Sequence, residues 1–364
     1  MFFRRLCAVG AMIVGGFAVA GWLILGSLDQ DRGGRRTGSI LSIFSGANGG
    51  VGIEAAGPVA NADDGPGEPV PFPPLVDFPV VPARDATPDV RDEDYIVGVE
   101  LDGEARAYPL NMLSRPERHV LNDTLGGRPI AVTWCGLCQS PMVYARQAAG
   151  KTLVLFVPGG VFGENMAIED VETGSRWAQL LGEAMEGPLK GQSLEQLPSV
   201  WTDWKTWRTE HPGTTVLKLS HTIDYYRHGP DRAGESLERR YLSSLQWGLA
   251  RGGKALSWPF KELFRQPVVN DSLADLPLLI YYDAESSTLT AFERRVGDTE
   301  LTFRKAQDGL TDDRTGSVWD PVTGRAIRGA LAGRRLNPVS GVISHLRAWR
   351  TFHPESESRT AHST

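Results

Sequence analysis

The sequence predicts a mostly β, α+β protein built by tandem duplication, in which a β-rich domain of about 120 residues closed by a C-terminal helix occurs twice behind an N-terminal transmembrane helix. Three observations predict it. The chain matches itself when shifted by 142 residues, each half alternates short apolar runs with Gly turns, and residues 6–28 form an uncharged, mainly apolar stretch. With 364 residues, 41% of them hydrophobic, there is enough apolar material for about two cores. The formal net charge of -6, without a basic cluster, argues against a nucleic-acid-binding surface.

Arg4 and Arg5 precede Leu6–Leu28, a run long enough to cross a hydrocarbon core as a helix. Ala18-Val19-Ala20 has the small residues of a cleavage site, but Trp22-Leu23-Ile24-Leu25 carries the apolar run past it. The segment therefore reads as an uncleaved signal anchor spanning 1–28. Arg32, Arg35 and Arg36 offset the N-terminal arginines in a positive-inside count. The charged-then-apolar order of an export signal places the remaining chain outside the cytoplasm, held by a single pass in the cytoplasmic (inner) membrane.

Residues 29–90 shift to Gly, Pro, Ala and Asp, with the extended run Pro69-Val70-Pro71-Phe72-Pro73-Pro74, and read as a linker. Residues 91–221 form the first copy, 222–237 a connector, 238–357 the second copy and 358–364 a tail.

The repeat defines these bounds: Thr173–Pro212 lies on Thr315–Pro354 without a gap, with 16 identities in 40 positions, where chance gives about two or three. Trp177 meets Trp319, and Trp207-Arg208-Thr209-x-His211-Pro212 meets Trp349-Arg350-Thr351-x-His353-Pro354. Upstream, a shift of 148 puts Asn122-Asp123 on Asn270-Asp271 and Arg146 on Arg294, and Tyr108-Pro109 meets Trp258-Pro259. Within a copy, Tyr95–Glu100, the turn Asp102-Gly103 and Ala105–Tyr108 read as a hairpin, and Ile130–Trp134 as a further strand. Trp201, Trp204 and Trp207 recur every three residues and predict the closing helix, ended by His211-Pro212. Asn122-Asp123 is expected to form a turn before Gly126-Gly127.

Cys7 lies in the apolar span, so Cys135 and Cys138 are the only thiols beyond it. Their spacing lets both sulfurs face one metal ion or close a small disulfide. The shift of 148 sets Asp283 and Ser286 in their places, so the second copy folds without thiols. His119 faces Pro267 there and is the preferred third partner, giving a candidate metal set of Cys135, Cys138 and His119 for copper, zinc or iron. Met142 is a further soft donor, although a methionine in an apolar strand is more often core. Arg106, matched by Leu256, is a candidate for binding an anion or a substrate carboxylate. His211 recurs as His353 and reads as a helix-ending residue. The thioredoxin reading of Trp134-Cys135-Gly136-Leu137-Cys138 puts the pair at a helix start. It is rejected because the matching stretch, Thr288–Phe292 followed by Gly297-Asp298 and Leu301–Phe303, reads as a hairpin.

The strings Ala105-Arg106-Ala107-Tyr108-Pro109-Leu110, Asn122-Asp123-x-x-Gly126-Gly127, Thr133-Trp134-Cys135-Gly136-Leu137-Cys138, Thr173-Gly174-Ser175-x-Trp177-x-Gln179 and Trp204-x-x-Trp207-x-x-x-His211-Pro212 resemble a bacterial and archaeal family known as domain of unknown function 3179. The resemblance covers the first copy nearly end to end and the second weakly, and carries no reaction with it. Relatives usually show His-Glu before the Asn-Asp element, where this chain has Glu117-Arg118-His119, and Pro after the first cysteine, where it has Gly136.

Two functions remain open. In one, the first copy holds an extracytoplasmic thiol site that binds a soft metal or cycles between dithiol and disulfide. In the other, a non-enzymatic envelope scaffold carries a structural disulfide and presents a groove to a protein or glycan partner. No Gly-x-Ser-x-Gly, His-Glu-x-x-His or phosphate-binding loop supports a hydrolase.

Overall fold

The computed structural model describes residues 71–86, 88–220, 226–227 and 242–360, and separately a short hairpin of Ser42–Ser45 with Val51–Glu54. The expected membrane span, most of the linker and nearly all of the connector lie outside the described residues. Among the described residues no helix is long and apolar enough to cross a membrane.

Each copy repeats one plan. A hairpin of Tyr95–Leu101 and Glu104–Pro109 turns at Asp102 and Gly103, whose φ angles of 49° and 83° supply the left-handed pair that a tight hairpin requires. It is flanked by Val200–Asp203, antiparallel to the first strand, and Thr215–Leu217, parallel to the second. In the second copy Leu245–Arg251 and Lys254–Pro259 are flanked in the same way by Val342–His345 and Glu357–Ser358. A three-stranded meander follows each hairpin: Val120–Leu125, Arg128–Cys135 and Ser140–Ala145, then Val268–Leu273, Leu276–Asp283 and Thr288–Glu293.

The copies meet at these meanders. Val200–Asp203 of the first pairs with Thr288–Glu293 of the second through Trp201 and Leu289, which makes one nine-stranded sheet. On the other side Ser140–Ala145 lies beside Val342–His345. A gap of about 30 Å³ at the seam is bordered by Trp201, Leu289 and their counterparts Ile343 and Pro141.

The closing helices begin later than the tryptophan spacing predicts. Trp201 sits in a strand, and the helix runs Trp204–Glu210, capped by Asp203 accepting from the Thr206 amide at 2.7 Å. The same shift holds for Ile343 and the helix Leu346–Phe352. A strand followed directly by a helix presents three indoles to one core, which mimics a single helical stripe. His211 and His353 do end these helices, each lying against the tryptophan four residues earlier, at 3.9 and 4.1 Å between ring centroids. Gly98 and Gly248 let those helices approach: a Cβ there would lie 2.3 and 2.8 Å from the Trp207 and Trp349 rings. Each buried indole removes roughly 150–250 Å² from water, worth about 4–6 kcal/mol before ordering costs.

Two expectations about loops need correction. The end of the supposed linker is part of the first copy, because Val80–Pro82 pairs with Thr215–Leu217 and the Phe72 amide donates to Val157 O. Asn122 and Asp123 lie within a strand, not a turn. Asn122 clamps the chain at Leu155 through two hydrogen bonds of 2.8 Å, and Asn270 does the same at Phe303. The turn sits at Gly126-Gly127.

Candidate functional site

Alternation along Arg128–Cys135 sorts the site from the core. Ile130, Val132 and Trp134 enter the main core, while Ala131, Thr133 and Cys135 face the other way with Ser140, Met142 and Tyr144 of the paired strand. Cys138 lies in the turn between these strands, and the element after it is the strand Ser140–Ala145, so the pair does not open a helix. Thr288–Glu293 is a strand as expected, but it pairs back with Leu276–Asp283, as Ser140–Ala145 does with Arg128–Cys135, and not forward with Leu301–Phe303. Within that second copy, the turn at Gly297-Asp298 joins only Arg295–Val296 and Thr299–Glu300.

Both cysteines are free thiols, 0 and 1% exposed, under the turn that carries the exposed Leu137. Gln139 holds that turn with φ 56° and donates from its side-chain amide to Gly136 O. The Cys138 amide donates to Cys135 Sγ at 3.4 Å. Cys138 Sγ lies 3.0 Å from Ser140 Oγ and receives a hydrogen bond from Asn165 Nδ2 at 3.3 Å. Behind them Gln179 Oε1 accepts from Ser140 at 3.0 Å and from Asn165 at 2.9 Å, and its Nε2 donates to Thr133 Oγ1 and Ser140 O. Thr133, Ser140, Asn165 and Gln179 are all 0% exposed.

The two thiols are driven apart. Burial raises Cys135, but the Cys138 thiol and the backbone amides of Cys138, Met166 and Leu137 outweigh it, and its pKa falls below the ordinary value. Burial, followed by the neighbouring Cys135 sulfur, pushes Cys138 well above it. The pair therefore gives up its first proton more easily than its second.

The second copy supplies one wall. Val342, Ala348 and Trp349 are buried in the same cluster as both cysteines, Met142 and Met166. The His345 amide donates to Cys138 O at 3.0 Å, and Arg347 pairs with Glu164 beside the site.

Neither of the other expected partners joins the thiols. His119 packs against Gly136, its Nε2 4.0 Å from where a Cβ would stand, and its amide-bonded neighbour across the ladder is Trp134, on the core-facing side. Its ring is hydrogen-bonded to the Ser114 backbone, and Nε2 is buried with no hydrogen-bond partner among the described residues. Burial pulls its pKa down to about 4. Among the described residues no three His, Cys, Asp or Glu side chains come together as a metal-binding group.

Arg106 is engaged inside the fold: Nη1 lies 2.6 Å from both Asp123 carboxylate oxygens, and Nε donates to Thr215 Oγ1. Tyr108 donates to the same carboxylate at 2.7 Å. In the second copy Arg359 and Trp258 reach Asp271 instead, at 3.2 and 3.1 Å, so Leu256 loses nothing the fold requires. An arginine already neutralised by a buried carboxylate is not an open anion site.

Sequence reasoning did not assign Thr133, Ser140, Tyr144, Asn165 or Gln179 to the site. A signal for four of them was present, since the second copy has Tyr281, Thr288, Phe292 and Pro321 in those registers. By contrast the Asp170, Thr173, Ser175 and Trp177 cluster recurs bond for bond as Asp312, Thr315, Ser317 and Trp319, and belongs to the fold.

No curated protein and no solved structure matches the chain. A family model described as a protein of unknown function matches residues 72–233 and 246–359. These spans begin where Phe72 joins the first copy and end at Arg359, the partner of Asp271. Sharing that family's pattern twice, the chain belongs to the domain of unknown function 3179 family.

Proposed function

We propose that Cys135 and Cys138 form an extracytoplasmic dithiol that cycles with a disulfide, and that the second copy serves as its scaffold. The observation that carries this reading is the asymmetry of the pair: the Cys138 amide donates to Cys135 Sγ at 3.4 Å, while burial beside that sulfur pushes the Cys138 thiol up. Thiol–disulfide exchange needs that division. The Cys135 thiolate attacks one sulfur of a small disulfide, forming a mixed disulfide and releasing one thiolate. Cys138 passes its proton to that thiolate and attacks the Cys135 sulfur, which closes the internal disulfide and expels the second thiolate, to be protonated by the equivalent Cys135 gave up on ionising. Two thiols and one disulfide become one disulfide and two thiols. The placement outside the cytoplasm, at the end of a membrane anchor, rests on the apolar run Leu6–Leu28.

A second reading is supported by Met142 and Met166, which share the buried cluster with both cysteines and make it rich in soft sulfur donors suited to copper(I). That reading requires both thiols to be deprotonated, against the tight hold on the Cys138 proton.

One preparation distinguishes them. The chain is equilibrated in graded glutathione buffers, quenched with an alkylating agent and weighed intact, beside elemental analysis of protein purified without chelator. Reversible loss of two hydrogens, absent in Cys138→Ser, supports the redox reading. Stoichiometric copper lost in Cys135→Ser/Cys138→Ser supports the metal. A disulfide that no buffer reduces points to the scaffold with a structural bridge.

A further inference from the structure

Gln179 bonds to Ser140 and Asn165, the side chains that face Cys138, and its amide has no freedom. Its Nε2 donates to the Ser140 carbonyl at 3.1 Å and to Thr133 Oγ1 at 2.8 Å, so Oε1 must be the acceptor on its other side. Asn165 is fixed as firmly, because Oδ1 accepts from the Leu180 amide at 2.9 Å. Its two Nδ2 hydrogens therefore go to Cys138 Sγ and to Gln179 Oε1. Thr133 passes its own hydrogen to Met142 O at 3.1 Å.

These assignments leave one choice for Ser140. Its single hydroxyl hydrogen goes to Gln179 Oε1 at 3.0 Å, which leaves only lone pairs for Cys138 Sγ at 3.0 Å. A hydroxyl free to turn would donate to a Cys138 thiolate and stabilise it. Here its hydrogen is already engaged, and a Cys138 thiolate would face only its lone pairs.

We infer that Gln179 is the positioning residue of the pair: by taking the Ser140 hydrogen it denies a Cys138 thiolate that donor, so Cys138 keeps its proton and Cys135 is the sulfur that reacts. The second copy is consistent with this. It has Pro321 in place of Gln179, and there Thr288 shares hydrogen bonds of 2.6 Å with Ser286 and Thr202 in place of the amide. The amide is absent where the thiols are absent.

The inference deepens the dithiol reading, and its test is independent of any redox cycle. In the full-length chain carrying Cys135→Ser, only Cys138 titrates at the site, and its alkylation rate by iodoacetamide is followed against pH. Gln179→Met frees the Ser140 hydrogen and lowers the midpoint by about one pH unit. Gln179→Glu keeps the acceptor, adds a buried negative charge and raises the midpoint. Adding Ser140→Ala to Gln179→Met abolishes the downward shift. A residue that merely fills space moves both Gln179 variants in the same direction, and that result, or no shift in either, overturns the inference. If Gln179→Glu does not fold, the Ser140→Ala comparison decides alone: a downward shift in Gln179→Met that persists without the hydroxyl overturns it. Failure of the glutathione titration with these shifts intact would remove the redox cycle and leave the role of Gln179 standing.

Discussion

Replacing Arg106 with leucine, the residue the second copy has in that register, separates fold from chemistry. The guanidinium lies 2.6 Å from both oxygens of Asp123, and the two side chains are 14 and 9% exposed. Burial lowers the pKa of Arg106, yet the hydrogen bond and charge of Asp123 outweigh it, leaving a net rise. Breaking a buried ion pair by removing one partner costs about 3–5 kcal/mol. Tyr108 still donates to Asp123 at 2.7 Å, and so does the Thr124 amide. The expected loss is therefore about 2–4 kcal/mol, a fall in Tm of roughly 5–10 °C for a folded body of this size. The assay is thermal unfolding of wild type and Arg106→Leu, paired with the alkylation rate of the thiols well below Tm. The account requires a lower Tm and an unchanged alkylation rate. An unchanged Tm with altered thiol chemistry would refute it and return Arg106 to the role of a substrate anchor.

Further perturbations test the same geometry. Gly98→Ala and Gly248→Ala each drive a methyl group into an indole and should cost about 1–3 kcal/mol, with Gly98 the worse, in chemical denaturation. Asp170→Ala strands the Thr173 amide and hydroxyl and the Trp177 indole hydrogen, and is expected to lose about 2–4 kcal/mol, with Asp312→Ala close behind. His119 is held near pKa 4 against an unfolded value near 6.5, so the unfolded chain binds the extra proton first. Wild type therefore loses about 3 kcal/mol as pH falls from 6.5 toward 4; His119→Leu should lack that loss, so the stability of wild type relative to the variant should drop by about that amount over the window. His345→Pro deletes the amide that holds Cys138 O while suiting the local φ of -62°, and should speed alkylation of the thiols by about fivefold, the worth of one hydrogen bond.

The duplication, the hairpins and the short closing helices were legible in the sequence because each copy repeats positions that the fold itself demands, such as Asn122, Asp170, Trp177 and Trp207. The thiols were legible as well. Their surroundings were not, for three physical reasons. Strand alternation decides that Cys135 and Thr133 share a face while Trp134 takes the other, and sequence spacing alone cannot say which face His119 joins. Arg106 finds its partner 17 residues away through cross-strand register, information that no local pattern carries. The polar surroundings of Cys138 come from Asn165, which donates to its sulfur, and from Ser140, whose hydrogen Gln179 takes, brought together from segments distant in sequence. The wall formed by Val342, Ala348 and Trp349 arises because each copy lends a meander to the other, so the copy without thiols is part of the site it lacks.

The claim that Cys135 attacks and Cys138 resolves is tested most directly by reacting three forms of the chain with a chromogenic aromatic disulfide and mapping the products by mass. Wild type should release two equivalents of aromatic thiol and end with a Cys135–Cys138 disulfide. Cys138→Ser should release one equivalent and accumulate the mixed disulfide at Cys135, while Cys135→Ser should react much more slowly. Faster trapping at Cys138 than at Cys135, or a wild-type product carrying two mixed disulfides and no internal bridge, would contradict the account.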